Sequence, residues 1–231
     1  MTTQRIRLPF LSLLAGVALA TGACQGSALA AESVVEAPAA TRTANESGGL
    51  KNAYFAGGCF WGVEAVFSHM KGVKSAVSGY HGGEARTANY DTVSNGATGH
   101  AEAVRVVYDP KVVRYDQLLQ VLFSVIADPT LKDRQGPDSG TQYRAAIIPV
   151  SDEQRAVAAA YLKQMSASGV WDKPIVVGIE NAKKFYPAED YHQDFARKNP
   201  AHPYIQRWDA PKVTALQKLF PSLYSSAFQT G

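Results

Sequence analysis

The sequence predicts an α+β domain of two layers: helices on a mixed β-sheet around a ferredoxin-like core. Three observations lead there. Short apolar runs of strand length alternate with segments whose apolar residues recur every three or four positions. Residues 73–80 and 100–108 read as strands that meet across one polar loop with no helix between them, so the sheet cannot be wholly parallel. The chain of 231 residues, 46% hydrophobic and 19% charged, has room for one domain with a sizeable core plus appendages.

The appendages come first. Arg5 and Arg7 precede an apolar run over residues 8–20, too short and wrongly flanked for a stable membrane span. Residues 1–30 therefore read as a signal peptide. Ala28-Leu29-Ala30 fits its cleavage site. Thr21-Gly22-Ala23-Cys24 loosely resembles a lipoprotein box, with Thr21 a poor match, and simple cleavage is the favoured reading. Either route exports the protein to the periplasm or cell envelope, with membrane attachment only if Cys24 is lipidated. Residues 31–50, rich in Ala, Ser, Thr, Glu and Gly, read as a flexible linker. The net charge of +3 is spread without a basic cluster, which excludes a nucleic-acid-binding signature.

The folded domain is expected over residues 51–205. Its first unit is a buried strand, residues 53–56, then Gly57-Gly58-Cys59-Phe60-Trp61-Gly62, then a helix with Phe60, Val63, Phe67 and Met70 on one side. The glycines make a strand-to-helix turn, and Cys59 falls at or near the helix start. Unpaired N–H groups and the helix dipole there favour a thiolate. A buried structural cysteine is the competing reading. Residues 73–80 follow as a strand, then a polar loop over 84–99 containing Tyr90. In the strand 100–108 a period of two puts His100, Glu102, Val104, Val106 and Tyr108 on one face. Glu102 thus shares an apolar face, where a carboxylate must be partnered or held protonated. Arg144 is the candidate partner.

Residues 115–126 carry the clearest helical stripe, stopped by Asp128-Pro129. A second polar loop, 130–141, holds Asp138. Residues 142–150 read as a strand with Tyr143 at its entrance. Ser151 to Gln154 is a capping box for a helix to about 166. Residues 175–180 read as a strand, and 185–195 mix aromatic and polar residues. Residues 206–231 form a tail with a helix over 212–220 and no cysteine.

The candidate chemistry is a thiol at Cys59, an acid at Glu102 and hydroxyls at Tyr90 and Tyr143, with Phe60 and Trp61 as an apolar wall. Salt-bridge and packing roles remain open for each. His192 reads as a loop-ordering residue, and His81 and His100 as structural or exposed. One core cysteine and scattered histidines make no zinc site. No phosphate loop, dinucleotide fingerprint or Cys-x-x-Cys pair is present. A cysteine hydrolase using Cys59 with His100 or His192, and a non-catalytic binder, are the alternatives.

Gly57 to Gly62, Gly99-His100-Ala101-Glu102, Asp128-Pro129-Thr130, Gly140 to Arg144 and Tyr191-His192-Gln193 together resemble the A-type peptide methionine sulfoxide reductases, in family order. The resemblance implies an α/β two-layer sandwich and reduction of methionine-S-sulfoxide, protein-bound or free, for repair after oxidation. By it Cys59 is the nucleophile that becomes a sulfenic acid. Glu102 is the proton donor, Tyr90 and Tyr143 hold the sulfoxide oxygen, Phe60 and Trp61 receive the methyl group, and Asp138 helps organise the site. No metal or prosthetic cofactor is implied, and the protein is expected to be a monomer. Three departures stand out. The tail lacks the resolving cysteines many members carry, so an external thiol must recycle Cys59: a thioredoxin-like protein, a glutaredoxin or a small thiol. Ala127 stands where a His is usual, and His81 where Ala is common.

Overall fold

The computed structural model describes Met1 and residues 34–231. The signal segment, its cleavage site and Cys24 lie outside the described residues. Eight strands and six helices follow in order: β1 (Lys51–Gly57), α1 (Phe60–Ser68), β2 (Val73–His81), α2 (Tyr90–Val93), β3 (Ala101–Tyr108), α3 (Tyr115–Val121), β4 (Arg134–Gln135), β5 (Asp138–Ser139), β6 (Ala145–Ile148), α4 (Asp152–Ala167), β7 (Gly178–Ile179), β8 (Phe185–Pro187), α5 (Phe195–Lys198) and α6 (Ala210–Leu219).

The main sheet runs β7-β6-β1-β3-β2-β8. Its centre is two interleaved units, β1-α1-β2 and β3-α3-β6. β3 inserts between β1 and β2, and β1 between β6 and β3, all antiparallel. That is the ferredoxin-like arrangement. β7 adds in parallel beside β6 and β8 antiparallel beside β2, which makes the sheet mixed. β4 and β5 form a separate small hairpin.

Alternation along β3 decides the layers. Val104, Val106 and Tyr108 point into the large core with Phe55, Phe67, Leu118, Leu119, Tyr161 and Leu216 of the helical side. Ala101 and Ala103 point the other way, into a thin cluster with Ala56, Ala146 and Ile148 under Tyr54 and Phe185. The helices therefore cover one face, and Glu102, in phase with Val104, enters from the core side with 1% of its surface exposed.

Several elements differ from the sequence reading. The 84–99 loop contains a 3₁₀ turn (Ala85–Thr87) and α2, whose start is capped by the Asn89 side chain accepting from the Thr92 N–H. The helix expected over 115–126 is α-helical only to Val121; Leu122–Ile126 widens into a π-helical turn before Pro129. Residues 142–150 are a strand only at Ala145–Ile148, because Thr141–Tyr143 is a 3₁₀ turn. The strand at 175–180 shrinks to Gly178–Ile179. In α4, Ser151 Oγ accepts from the Gln154 N–H, but Gln154 Oε1 reaches the Val150 N–H rather than completing the box.

Residues 34–50 are not a loose linker. They lie as an extended strap across α3 and α4. Ala37 is buried, with its N–H on Ser124 Oγ. The Tyr161 hydroxyl donates to the Pro38 carbonyl, Thr41 is held by Gln164, and the Ala44 N–H by Asp116. Glu46 accepts from the Tyr108 hydroxyl and from Gln154 Nε2. Their composition signals low core potential, but the strap is held by its backbone polar groups, which composition does not register. The tail is equally ordered. Ile205–Asp209 makes a π-helical turn, α6 buries Ala215 and Leu216, and Leu223, Ser225 and Gln229 pair with Lys71, His69 and Ser68 beyond α1.

Candidate active site

The site forms where β1 turns into α1. Gly58 has φ +91°, and a Cβ there would stand 2.6 Å from the Gln135 Cβ, so only glycine fits this approach. Gln135 is itself fixed, exchanging two hydrogen bonds with the Asp128 backbone. Cys59 is the N-cap of α1, with φ -53° and ψ 124°, and half-buried. Phe60, the first helical residue, donates its N–H to Glu102 Oε2 at 2.9 Å. The nucleophile turn and the acid strand are thereby locked together by a helix-terminal donor.

Burial sets the electrostatics. Glu102 is raised to about 8, by burial first, with the Phe60 N–H opposing and Asp138 and Asp209 adding to it. A carboxylic acid that keeps its proton at neutral pH results. The Arg144 partner considered for it is absent: Arg144 pairs with Glu180 at 2.6 Å and donates to the Thr141 and Gly99 carbonyls.

Cys59 departs from the sequence expectation. Its thiol is pushed well above the ordinary value, first by burial, then by Glu102, Asp209 and Asp138; the Trp61 N–H pulls the other way. The helix start favours a thiolate, but desolvation and three surrounding acids outweigh it. At rest the thiol is protonated.

The remaining candidates converge. Tyr90, at the start of α2, and Tyr143, in the 3₁₀ turn, both have hydroxyls raised by burial and next by Glu102, with Cys59 among the contributing charges. Asp138, in β5, accepts a hydrogen bond from the Tyr204 hydroxyl. Trp61 stacks on Phe195 with ring centres 3.8 Å apart, and Tyr204 meets it edge-on at 5.8 Å. Phe60 is buried, between Tyr80 and His192, and floors the site behind Trp61.

The histidines are occupied by structure. Trp61 Nε1 donates to His192 Nδ1 at 3.1 Å, which places the neutral ring's proton on Nε2, and burial lowers its basicity. His100 takes the Gly83 N–H on Nδ1, and its Nε2 meets the Glu84 carbonyl. His81 Nε2 accepts from the Lys183 N–H. His100 has both ring nitrogens on backbone groups and His192 has Nδ1 on Trp61, and among the described residues no hydrogen bond joins either ring to Cys59 as a hydrolase base requires. Among the described residues no group of three or more His, Cys, Asp or Glu gathers as a metal site.

Three residues at the site escaped the sequence reading. Glu189 accepts from the Tyr80 hydroxyl and the Tyr90 N–H, and so hangs α2 on the aromatic segment. Tyr204 comes from the last residues of the expected domain and Asp209 from the tail. The one available signal was Gly62: a Cβ there would stand 2.3 Å from Asp209 Oδ1, so an invading side chain explains the third glycine.

Comparison with known proteins agrees with this geometry. The family model for peptide methionine sulfoxide reductase matches residues 51–222. The peptide methionine sulfoxide reductase MsrA 2 of Mesorhizobium japonicum is 55% identical over 177 residues, 77% of this chain and 91% of that protein. Its namesake from Synechocystis is 49% identical over 172 residues, covering 74% and 80%. Among solved structures, Mxr1 from Saccharomyces cerevisiae in reduced form superposes with a TM-score of 0.59 at 32% identity, over 70% of this chain and 92% of that one. Methionine sulfoxide reductase A of Corynebacterium diphtheriae gives 0.56 at 34%, over 68% and 78%. A matched sequence, a matched fold and a thiol beside a neutral acid lead to one conclusion: the chain belongs to the peptide methionine sulfoxide reductase family.

Proposed function

We propose that the enzyme reduces methionine-S-sulfoxide, in proteins or free, through Cys59, with Glu102 as the acid. The observation that carries this reading is the Glu102 carboxyl, 1% exposed, raised to about 8 and bonded to the residue after the thiol. Sulfoxide oxygen is a poor leaving group until protonated, and a neutral buried acid supplies that proton at pH 7. The Cys59 sulfur attacks the sulfoxide sulfur. The oxygen takes the Glu102 proton as the S–S bond forms; the hydroxyl then passes to the Cys59 sulfur while the S–O bond and the new S–S bond break, which leaves Cys59 as a sulfenic acid. The thiol proton restores Glu102, and methionine leaves two electrons richer.

Tyr90 and Tyr143 donate to the oxygen before it leaves. Trp61, with its floor of Phe60, takes the methyl group, and Asp138 holds Tyr204 at the rim. Two external thiols complete the cycle. The first displaces the sulfenic hydroxyl as water and forms a mixed disulfide; the second frees Cys59 and leaves with the first as a disulfide. A thioredoxin-like protein, a glutaredoxin or a small thiol fits that role. The basic and apolar N-terminal segment supports work in the periplasm or cell envelope on oxidised exported proteins. Fractionation of the producing cell with and without residues 1–30 tests that placement.

The chemical test is a single turnover of the reduced protein with separate S and R epimers of a methionine sulfoxide peptide. One methionine per chain from the S epimer alone, with one oxygen added at Cys59, is expected. No methionine from either epimer would sink the reading.

A further inference from the structure

The C-terminal segment brings to the site a buried acid that the reaction above does not use. Asp209 ends the π-helical turn before α6 and is 1% exposed. Its carboxylate sits on the first turn of α1, where a Cβ on Gly62 would stand 2.3 Å from Oδ1 and 3.0 Å from Cγ. At the start of the same segment, Tyr204 bonds to Asp138 and packs on Trp61. The segment is thus fastened to the Cys59 turn at two points.

We propose that Asp209 is a positioning residue of the reduction: its buried carboxylate, pressed against the Cys59 turn by the C-terminal segment, retains in the site the proton that Cys59 and Glu102 exchange. The proposal rests on the reductase reading above. Negative charge beside a thiol and a carboxylic acid disfavours loss of a proton from either. Asp209 acts in this sense on both Cys59 and Glu102, alongside Asp138.

Other charged and titratable groups share its surroundings. Tyr204 feels the Asp209 charge. Lys212, 8% exposed and on α6, has its Cδ 3.6 Å from the same point above Gly62. His69 and Arg197 share with Asp209 the groove between α1, α5 and α6, and Arg207 lies on its own turn. Glu64, also on α1, faces Asp194 and Ser78 instead. Coulomb terms add, so removing the Asp209 charge loosens both protons irrespective of what Lys212 contributes from its place.

Asp209→Asn keeps the shape over Gly62 and removes the charge. Two readouts follow. Alkylation of Cys59 by iodoacetamide against pH needs no turnover; its midpoint is expected to fall by roughly one pH unit. The pH profile of single-turnover methionine formation is expected to move to lower pH by a similar amount, both limbs together. A merely structural role lowers the amplitude at every pH and leaves both midpoints where they were; that result overturns the proposal. Should the variant not fold, Gly62→Ala displaces the carboxylate from the other side and is expected to move the alkylation midpoint the same way; an unmoved midpoint there also overturns it. Wild-type protein that forms no methionine refutes the reductase reading, while the alkylation midpoint still decides on Asp209.

Discussion

Glu102 holds its proton up to about pH 8 in the folded chain, whereas an unfolded glutamate releases it near 4.5. The folded state therefore binds more protons than the unfolded state between those values, and stability falls as pH rises through that window. Glu102→Gln keeps the Phe60 N–H bond and removes the ionisation. Thermal melts at pH 5 and pH 8 are expected to show the variant equal to wild type at pH 5. At pH 8 it should be more stable by on the order of 3–4 kcal/mol. Single-turnover methionine formation is expected to fall by about 10²-fold or more, since the proton donor is gone. Greater stability together with lost activity marks a residue kept for chemistry. A variant less stable at both pH values would return Glu102 to a structural role. The face of β3 on which Glu102 lies was legible from a period of two. The proton it keeps depends on how completely α1 covers that face, and the pattern of β3 alone does not state this.

Elements place the thiol rather than make it reactive. The β1–α1 turn exists because Gly58 occupies φ +91° against Gln135. Gly58→Ala is expected to cost about 2 kcal/mol or more, combining backbone strain with the contact on Gln135, and to slow Cys59 oxidation by sulfoxide. Denaturant titration and the single-turnover rate check the two effects. The strap is a second element with measurable weight. Glu46 satisfies the buried Tyr108 hydroxyl from a segment that composition alone reads as linker. Glu46→Ala is expected to lower stability by about 1–2 kcal/mol, read as a drop in Tm of roughly 2–8 °C. An unchanged Tm would show that the strap is bound too weakly to matter. The Ser151 cap of α4, the stripe of α3 and the glycines at 57, 58 and 62 were all visible as local pattern. The strap was not, because its bonds join residues some 60 to 125 positions apart.

At the scale of the whole molecule, Cys59 is the one free cysteine among the described residues. The C-terminal segment, stitched along α1, carries Tyr204 and Asp209 to the site and brings no second thiol there. In the absence of added thiol the enzyme is expected to make one methionine per chain and stop. A dimedone-reactive sulfenic acid should then sit on Cys59, and mass spectrometry should find no intramolecular disulfide. Continued turnover without thiol would contradict the single-cysteine cycle.

The sequence by itself determined the layered fold, the turn that presents Cys59, the face that buries Glu102 and the family, because each is written in short-range spacing: a period of two, a period of three to four, or a run of glycines. Only the tertiary structure decided the charge state of the thiol, the partner of Arg144, and the arrival of Glu189, Tyr204 and Asp209 at the site. Local chemistry predicts a lowered Cys59 from its helix start, yet the observed direction is the opposite. The reason is physical. Desolvation and Coulomb interaction depend on distance through space, and the acids that gather around Cys59 come from β3, β5 and the tail, far apart along the chain.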